Sequence, residues 1–273
     1  GPSRLSRPSR ASRLPPKIGF SVMSKRPLFS CVVPVKGARP YFAAALASLR
    51  AQGMGEDLEI IVQDADVEPD AGQSDALNRG FAKARGDWLF WLNADDLLLP
   101  GALRAVAETV RRRPAVRWIA GNTAYLDPSG RVRWCVWDRG WRLSYWRLPV
   151  QVYGPGSFFR RDLLREAGGF DTALDYAMDV DMWCRFRRLG VWYAKVPRLV
   201  WGFRLHAGSK THAAQEGVWT PEVARETGTI CRRYGLAGGR SARLVATLSR
   251  TVNGSYLAAL ILTGWLKGRS VAG

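Results

Sequence analysis

Apolar positions along the chain follow two alternating rhythms. From Leu28 onward, short runs of β-branched and aromatic residues alternate with helix-length stretches whose apolar side chains recur every three or four positions. Phe29–Val35, residues 58–63 and residues 88–92 read as buried strands. Residues 41–52 place Phe42, Ala45, Leu46 and Leu49 on one face, and residues 73–85 do the same with Ala76, Leu77, Gly80, Phe81 and Ala84, so both predict helices. Strand, helix, strand, helix, strand in that order predicts an α/β fold with a mostly parallel, Rossmann-like sheet flanked by helices. Residues 116–153 carry Trp118, Trp134, Trp137, Trp141 and Trp146 around an Asp127-Pro128-Ser129-Gly130 turn and read as antiparallel, with part of an acceptor pocket or core aromatics as the alternatives. Beyond Thr211 the chain turns helical and basic.

Ligands of such sheets bind beyond the carboxyl ends of the strands. Polar residues cluster there: Lys36 and Arg39 after the first strand, Asp64 and Asp66 after the second, Asn93, Asp95 and Asp96 after the third. Adjacent carboxylates repel, so Asp95-Asp96 at a strand end suggests a compensating cation, for which oxygen ligands favour Mg²⁺ or Mn²⁺. The competing reading is a helix cap for the segment beginning Pro100-Gly101-Ala102-Leu103.

Forty-one Lys and Arg against 23 Asp and Glu give a net charge of +18, which predicts attraction to a polyanion: nucleic acid, anionic headgroups or a phosphorylated substrate. The four cysteines are widely spaced, which argues for reduced core thiols rather than zinc or a disulfide framework. Residues 1–27 are rich in Arg, Ser and Pro and predict a flexible basic tail without an apolar signal segment. Its opening Gly1-Pro2 resembles a cloning remnant, and Met23 is a candidate natural start.

Four ordered segments resemble family 2 glycosyltransferases, the inverting group with a GT-A fold. They are Cys31-Val32-Val33-Pro34-Val35 with Asp64 beyond the second strand; Glu68-Pro69-Asp70-Ala71-Gly72-Gln73-Ser74-Asp75-Ala76-Leu77-Asn78; Asn93-Ala94-Asp95 in the place of a DXD motif; and Gly156-Ser157-Phe158-Phe159-Arg160-Arg161 followed by Gly168-Gly169-Phe170-Asp171 and Met178-Asp179-Val180-Asp181-Met182-Trp183. Phe203-Arg204-Leu205-His206 is similar to the family's closing segment. The resemblance implies a catalytic domain over 28–211, with a nucleotide-sugar half to about 100 and an acceptor half after it, and a helical extension over 212–273. It further implies a nucleoside-diphosphate sugar donor, UDP-linked by default, contacted by Val35, Lys36, Asp64, Gln73, Asn78, Asn93 and Asp95. Asp95 and His206 would hold Mn²⁺ or Mg²⁺, Asp179 would act as general base, and Asp181 and Trp183 would meet a glycan or lipid-linked acceptor. Asn93 departs from the first aspartate of DXD, and the turn that usually follows Asp64 is missing.

The apolar stretch within residues 239–273 is about a dozen residues, short of the roughly 20 that span a bilayer, and predicts a surface-lying helix on an anionic cytoplasmic membrane face, or packing on the domain or a second subunit. A nucleic-acid-binding protein is the rival from another class, but no zinc-finger spacing, RNP-like run or helix-turn-helix accompanies the charge. A noncatalytic sugar-nucleotide-binding relative is the second rival, prompted by Asn93.

Overall fold

The computed structural model describes residues 26–37, 39–138, 154–209, 220–236 and 255–271. The tail to residue 25, Trp141, Trp146, Lys210, Thr211 and the basic stretch from 237 to 254 lie outside them.

Strands β1 (Phe29–Val35), β2 (Leu58–Asp64) and β3 (Trp88–Trp91) are parallel neighbours in the order β2-β1-β3. Helices α1 (Phe42–Arg50) and α2 (Gln73–Lys83) join them, as the periodicity predicts. The sheet continues through β7 (Ser157–Arg160), β5 (Trp118–Leu126), β8 (Ala194–Arg204) and the short β4 (Leu97–Leu98), with β6 (Val132–Val136) also on β5. The pairs β3/β7, β5/β7, β4/β8 and β5/β6 are antiparallel, whereas β5/β8 is parallel. Most paired residues are therefore in parallel register, and the reversals are confined to the second half of the sheet. Helices α3 (Ala102–Arg112), α4 (Arg161–Ala167) and α5 (Met178–Arg188) cover it, and α6 (Pro221–Tyr234) and α7 (Ser255–Leu266) follow.

Two features shape the surroundings of β1. On the β3 side of β1, Val32 O accepts from Leu92 N at 3.0 Å. Pro34, two residues on, faces the same way but lies past the end of the β3 pairing, where its missing N–H leaves no ladder bond unmade. Helix α2 sits close against β1 because Gly80 has no side chain: a Cβ there would fall 2.5 Å from Val32 Cγ1.

One buried side of the sheet holds a cluster of aromatic residues. Trp118 stacks on Trp183 at 5.0 Å between ring centres, Trp183 lies 6.2 Å from Trp91, and Phe159 and Phe186 pack across them. Trp183 is fully buried in this cluster. Its expected acceptor contact is thus corrected: the ring is core, placed there because an indole removes more apolar surface from water than any other side chain. Three cysteines are buried thiols and the fourth, Cys231, is half-buried; none is paired. The α7 helix docks one face on β6, where Cys135 N donates to Thr263 Oγ1 at 2.8 Å and Leu262 and Leu266 meet Leu126 and Val132. Among the described residues no helix is long and apolar enough to cross a membrane.

Trp183→Ala should cost about 3–5 kcal/mol of stability through the cavity left in the aromatic cluster. Urea unfolding checks this, and a loss below about 1 kcal/mol would show that the cluster does not depend on the ring.

Candidate active site

At the carboxyl ends of β1 and β3 lies a cleft of about 750 Å³, within the usual size of ligand sites. Val35, Lys36, Gln73, Asn93, Asp95 and Asp179, six of the residues expected to bind or react, line it. Tyr125, Asp175, Tyr176, Met178, Trp201, Phe203 and Ser209 complete much of the wall.

A polar chain runs along one side. Gln73 Nε2 donates to Asn93 Oδ1 at 2.9 Å, and Asn93 Nδ2 donates to Asp96 Oδ2 at 2.8 Å. Asp96 is fully buried and its other oxygen accepts from Arg204 N at 3.0 Å. Burial, followed by the neighbouring Asp95 charge, pushes the Asp96 carboxyl well above the usual range, which eases the repulsion within the pair. Arg204 completes the turn from the far side: Nε donates to Asp95 O at 2.9 Å, Nη1 to Pro128 O at 2.8 Å, and the guanidinium lies over Tyr41 at 4.5 Å. The helix-cap reading of Asp95 or Asp96 is excluded, because α3 starts at Gly101 without any side-chain cap.

His206 Nε2 and Asp95 Oδ2 are hydrogen-bonded at 2.9 Å. His206 stands behind Asp95 rather than in the cleft wall, and packs on Tyr41 at 5.0 Å between ring centres. One carboxylate and one imidazole at this separation fit a divalent cation that takes its remaining ligands from substrate phosphates and water. No cluster of three or more His, Cys, Asp or Glu occurs among the described residues, so the protein alone would supply few ligands.

Asp179 is the second residue of α5, whose cap position is Ala177. Its Oδ1 accepts from Val180 N at 2.7 Å, and the Gly154 amide also donates to the carboxyl. Partial burial in the cleft wall outweighs these bonds and raises its pKa to about 6. Gly154 comes this close to the wall because it lacks a side chain: a Cβ would stand 2.3 Å from Trp91 Cζ2.

Three further expectations are corrected. Asn78 spends both amide ends on the Phe170 backbone, donating to O at 2.9 Å and accepting from N at 2.8 Å, away from the cleft. Asp181 is buried and accepts from Arg185, Arg233 and Tyr234, the last at 2.7 Å, so it holds α5 to α6 and cannot meet an acceptor. Positions 179 and 181 lie on nearly opposite sides of a helix, so at most one could face the cleft. Asp64 ends β2 beside Val35, with Oδ1 taken by Arg39 at 2.7 Å, and does not line the cleft. Sequence reading also missed Glu226. Its buried carboxylate on α6 accepts from the amides of Asp175, Tyr176 and Ala177 at 2.8–3.1 Å, and nothing in its helical surroundings signals this.

A family model described as glycosyl transferase family 2 matches residues 66–167, the stretch that contains Gln73, Asn93 and Asp95. Over that stretch the chain is similar to glycosyltransferase family 2. The chain is 27% identical over 187 residues to the O-antigen biosynthesis protein RfbC of Myxococcus xanthus, covering 60% of the chain but 15% of that relative. It is 23% identical over 215 residues to an uncharacterized glycosyltransferase of Rickettsia prowazekii, covering 69% and 67%. Its fold is GT-A. Residues 1–349 of S. aureus TarS in complex with UDP-GlcNAc superpose with a TM-score of 0.56 at 14% identity, over 77% of this chain and 68% of that one. The mannosyltransferase PcManGT of Pyrobaculum calidifontis, in complex with GDP-Man and Mn²⁺, gives 0.50 at 16% identity, over 88% and 84%.

The raised pKa of Asp179 has a consequence for stability. Its folded value of about 6 lies above that of an unfolded aspartate, so the native state binds the extra proton and loses stability as pH rises from the ordinary carboxylate range to about 6. Asp179→Asn should therefore raise the melting temperature more at pH 7.5 than at pH 4.5; an equal change at both would show that the carboxyl titrates normally.

Proposed function

We propose that this chain transfers a sugar from a nucleoside-diphosphate donor, UDP-linked by default, to a hydroxyl of a lipid-linked or polysaccharide precursor of the cell envelope, with inversion at the anomeric carbon. The observation that carries the reading is the placement of Asp179, raised to about 6, in the same cleft as Gln73, Asn93 and Asp95. The O-antigen relative and the UDP-GlcNAc and GDP-Man complexes of the structural neighbours support the donor class and the envelope setting.

In this mechanism Lys36 attracts the donor diphosphate, and Val35, Gln73 and Asn93 form the wall against which the donor lies. Asp179 accepts the acceptor hydroxyl's proton as that oxygen attacks the anomeric carbon. The bond to the diphosphate oxygen breaks, and its electron pair leaves with the nucleoside diphosphate. Asp95 and His206 would hold Mn²⁺ or Mg²⁺, which when bound neutralises charge on the departing phosphates. Asn93 brings no carboxylate to that task; it ties Gln73 to Asp96. Asp64 would reach a donor base or ribose only by exchanging Arg39 for it.

Thermal shift with UDP, GDP, dTDP and CMP sugars, with and without Mn²⁺, tests the donor assignment. One nucleotide class should stabilise the protein in a metal-dependent way, and Asp95→Ala should weaken that shift. Asp179→Asn should keep the shift and lower turnover at least about a hundredfold, while wild-type turnover rises with pH through about 6 as the base ionises. Stabilisation by DNA or RNA and by no sugar nucleotide would overturn the reading, and donor binding without turnover would leave a noncatalytic relative.

The setting we propose is the cytoplasmic face of an anionic membrane. On α7, Leu257, Leu260, Ile261 and Trp265 are each more than half exposed and lie at helical spacing on the side away from β6. Arg133, Lys267 and Arg269 are exposed nearby, with Arg269 stacked on Trp265 at 4.5 Å. A net charge of +18 opposes pairing of two such faces and favours anionic headgroups. The protein should sediment with phosphatidylglycerol-containing vesicles and less with phosphatidylcholine alone, and Ile261→Asp should release it. Equal recovery in the supernatant with both lipids would remove the membrane assignment.

A further inference from the structure

Helices α5 and α6 both lie beyond the residues that the family model matches, and α6 makes two groups of polar contacts near the start of α5. At its far end Arg233 and Tyr234 hold Asp181, at 2.8 and 2.7 Å, and Arg233 also reaches Asp171 at 3.1 Å. Near its start, Glu226 turns inward. One of its oxygens accepts from Asp175 N at 3.1 Å, Tyr176 N at 2.8 Å and Ala177 N at 3.0 Å, and the other also accepts from Asp175 N at 3.1 Å.

These amides belong to the turn from which α5 begins. Ala177 is its cap residue, and its side chain makes no cap bond. A helix start leaves N–H groups without partners, and a carboxylate is a favourable group to meet them. Here the carboxylate comes from about fifty residues away. The same turn is part of the cleft: Asp175, Tyr176, Met178 and Asp179 all line it. With Glu226 buried, no water competes readily for these bonds.

We propose that Glu226 is a positioning residue of the transfer site: by gathering the 175–177 amides it fixes the start of α5 and so sets where Asp179 meets the acceptor hydroxyl. The inference rests on the role of Asp179 given above. Arg233 secures the same helix pair without touching the turn, so the two contacts separate positioning from simple attachment of α6.

The test compares Glu226→Gln, which keeps the side chain's shape, with Arg233→Gln in the full chain. Glu226→Gln should lower kcat about ten- to a hundredfold with donor KM within about twofold, since misplacement of a reacting group by about 1 Å can cost that much. Arg233→Gln should lower the melting temperature comparably while kcat stays within about threefold. Hydrogen exchange at the amides of 175–177 should quicken in Glu226→Gln and stay slow in Arg233→Gln, a readout that needs no turnover. Equal losses of kcat in both variants, or faster exchange in Glu226→Gln with unchanged kcat, would overturn the proposal. A wild-type chain that transfers no sugar but shows the exchange pattern would instead count against the reading of Asp179.

Discussion

The buried carboxylate of Asp96 is the constraint on which the cleft depends. It sits where β3 has ended, fully enclosed, and it draws in the backbone of β8 through Arg204 N and the side chain of Asn93. A buried carboxyl is costly unless its lone pairs are met and its charge relieved. Both conditions are satisfied here, by the nearby Asn93 amide and the distant β8 backbone as donors and by a pKa pushed upward by burial. The consequence is a turn held rigidly enough to present Asp95 to the cleft, with His206 behind it.

Arg204 explains how that turn is kept in shape from outside. Its guanidinium takes the carbonyls of Asp95 and Pro128 and lies over Tyr41, so three loops meet on one planar group. Arginine suits this position because its planar fork of donors satisfies separated acceptors at once while its flat face stacks on a ring; lysine has no such planar fork. The loops at this end of the sheet thus depend on one residue that is not itself in the cleft wall.

The opposite wall is organised by α5 and α6. Aspartates two residues apart on α5 have opposite duties: Asp179 faces the cleft, while Asp181 is tied to α6. Their environments differ accordingly, and partial burial raises the cleft-facing Asp179 carboxyl to about 6, a value that suits a base working near neutral pH. Outward, the exposed apolar stripe of α7 gives the domain a second, chemically different surface.

Local pattern along the chain carries the order of the first five elements and the places where polar residues end apolar strands. Hydrophobic period is a local property, so β1, α1, β2, α2 and β3 were legible, as were Gln73, Asn93, Asp95 and Asp179 at strand and helix ends. What each polar or aromatic side chain meets depends on packing between elements far apart in the chain. Asn78 clamps Phe170, Asp181 meets Arg233, and Trp183 fills the core, because a residue's face on a helix says nothing about which distant element packs there. Glu226 is the clearest case. An acidic residue in a basic helix reads as solvated charge, and its role exists only because folding brings three amides from another turn onto its carboxylate.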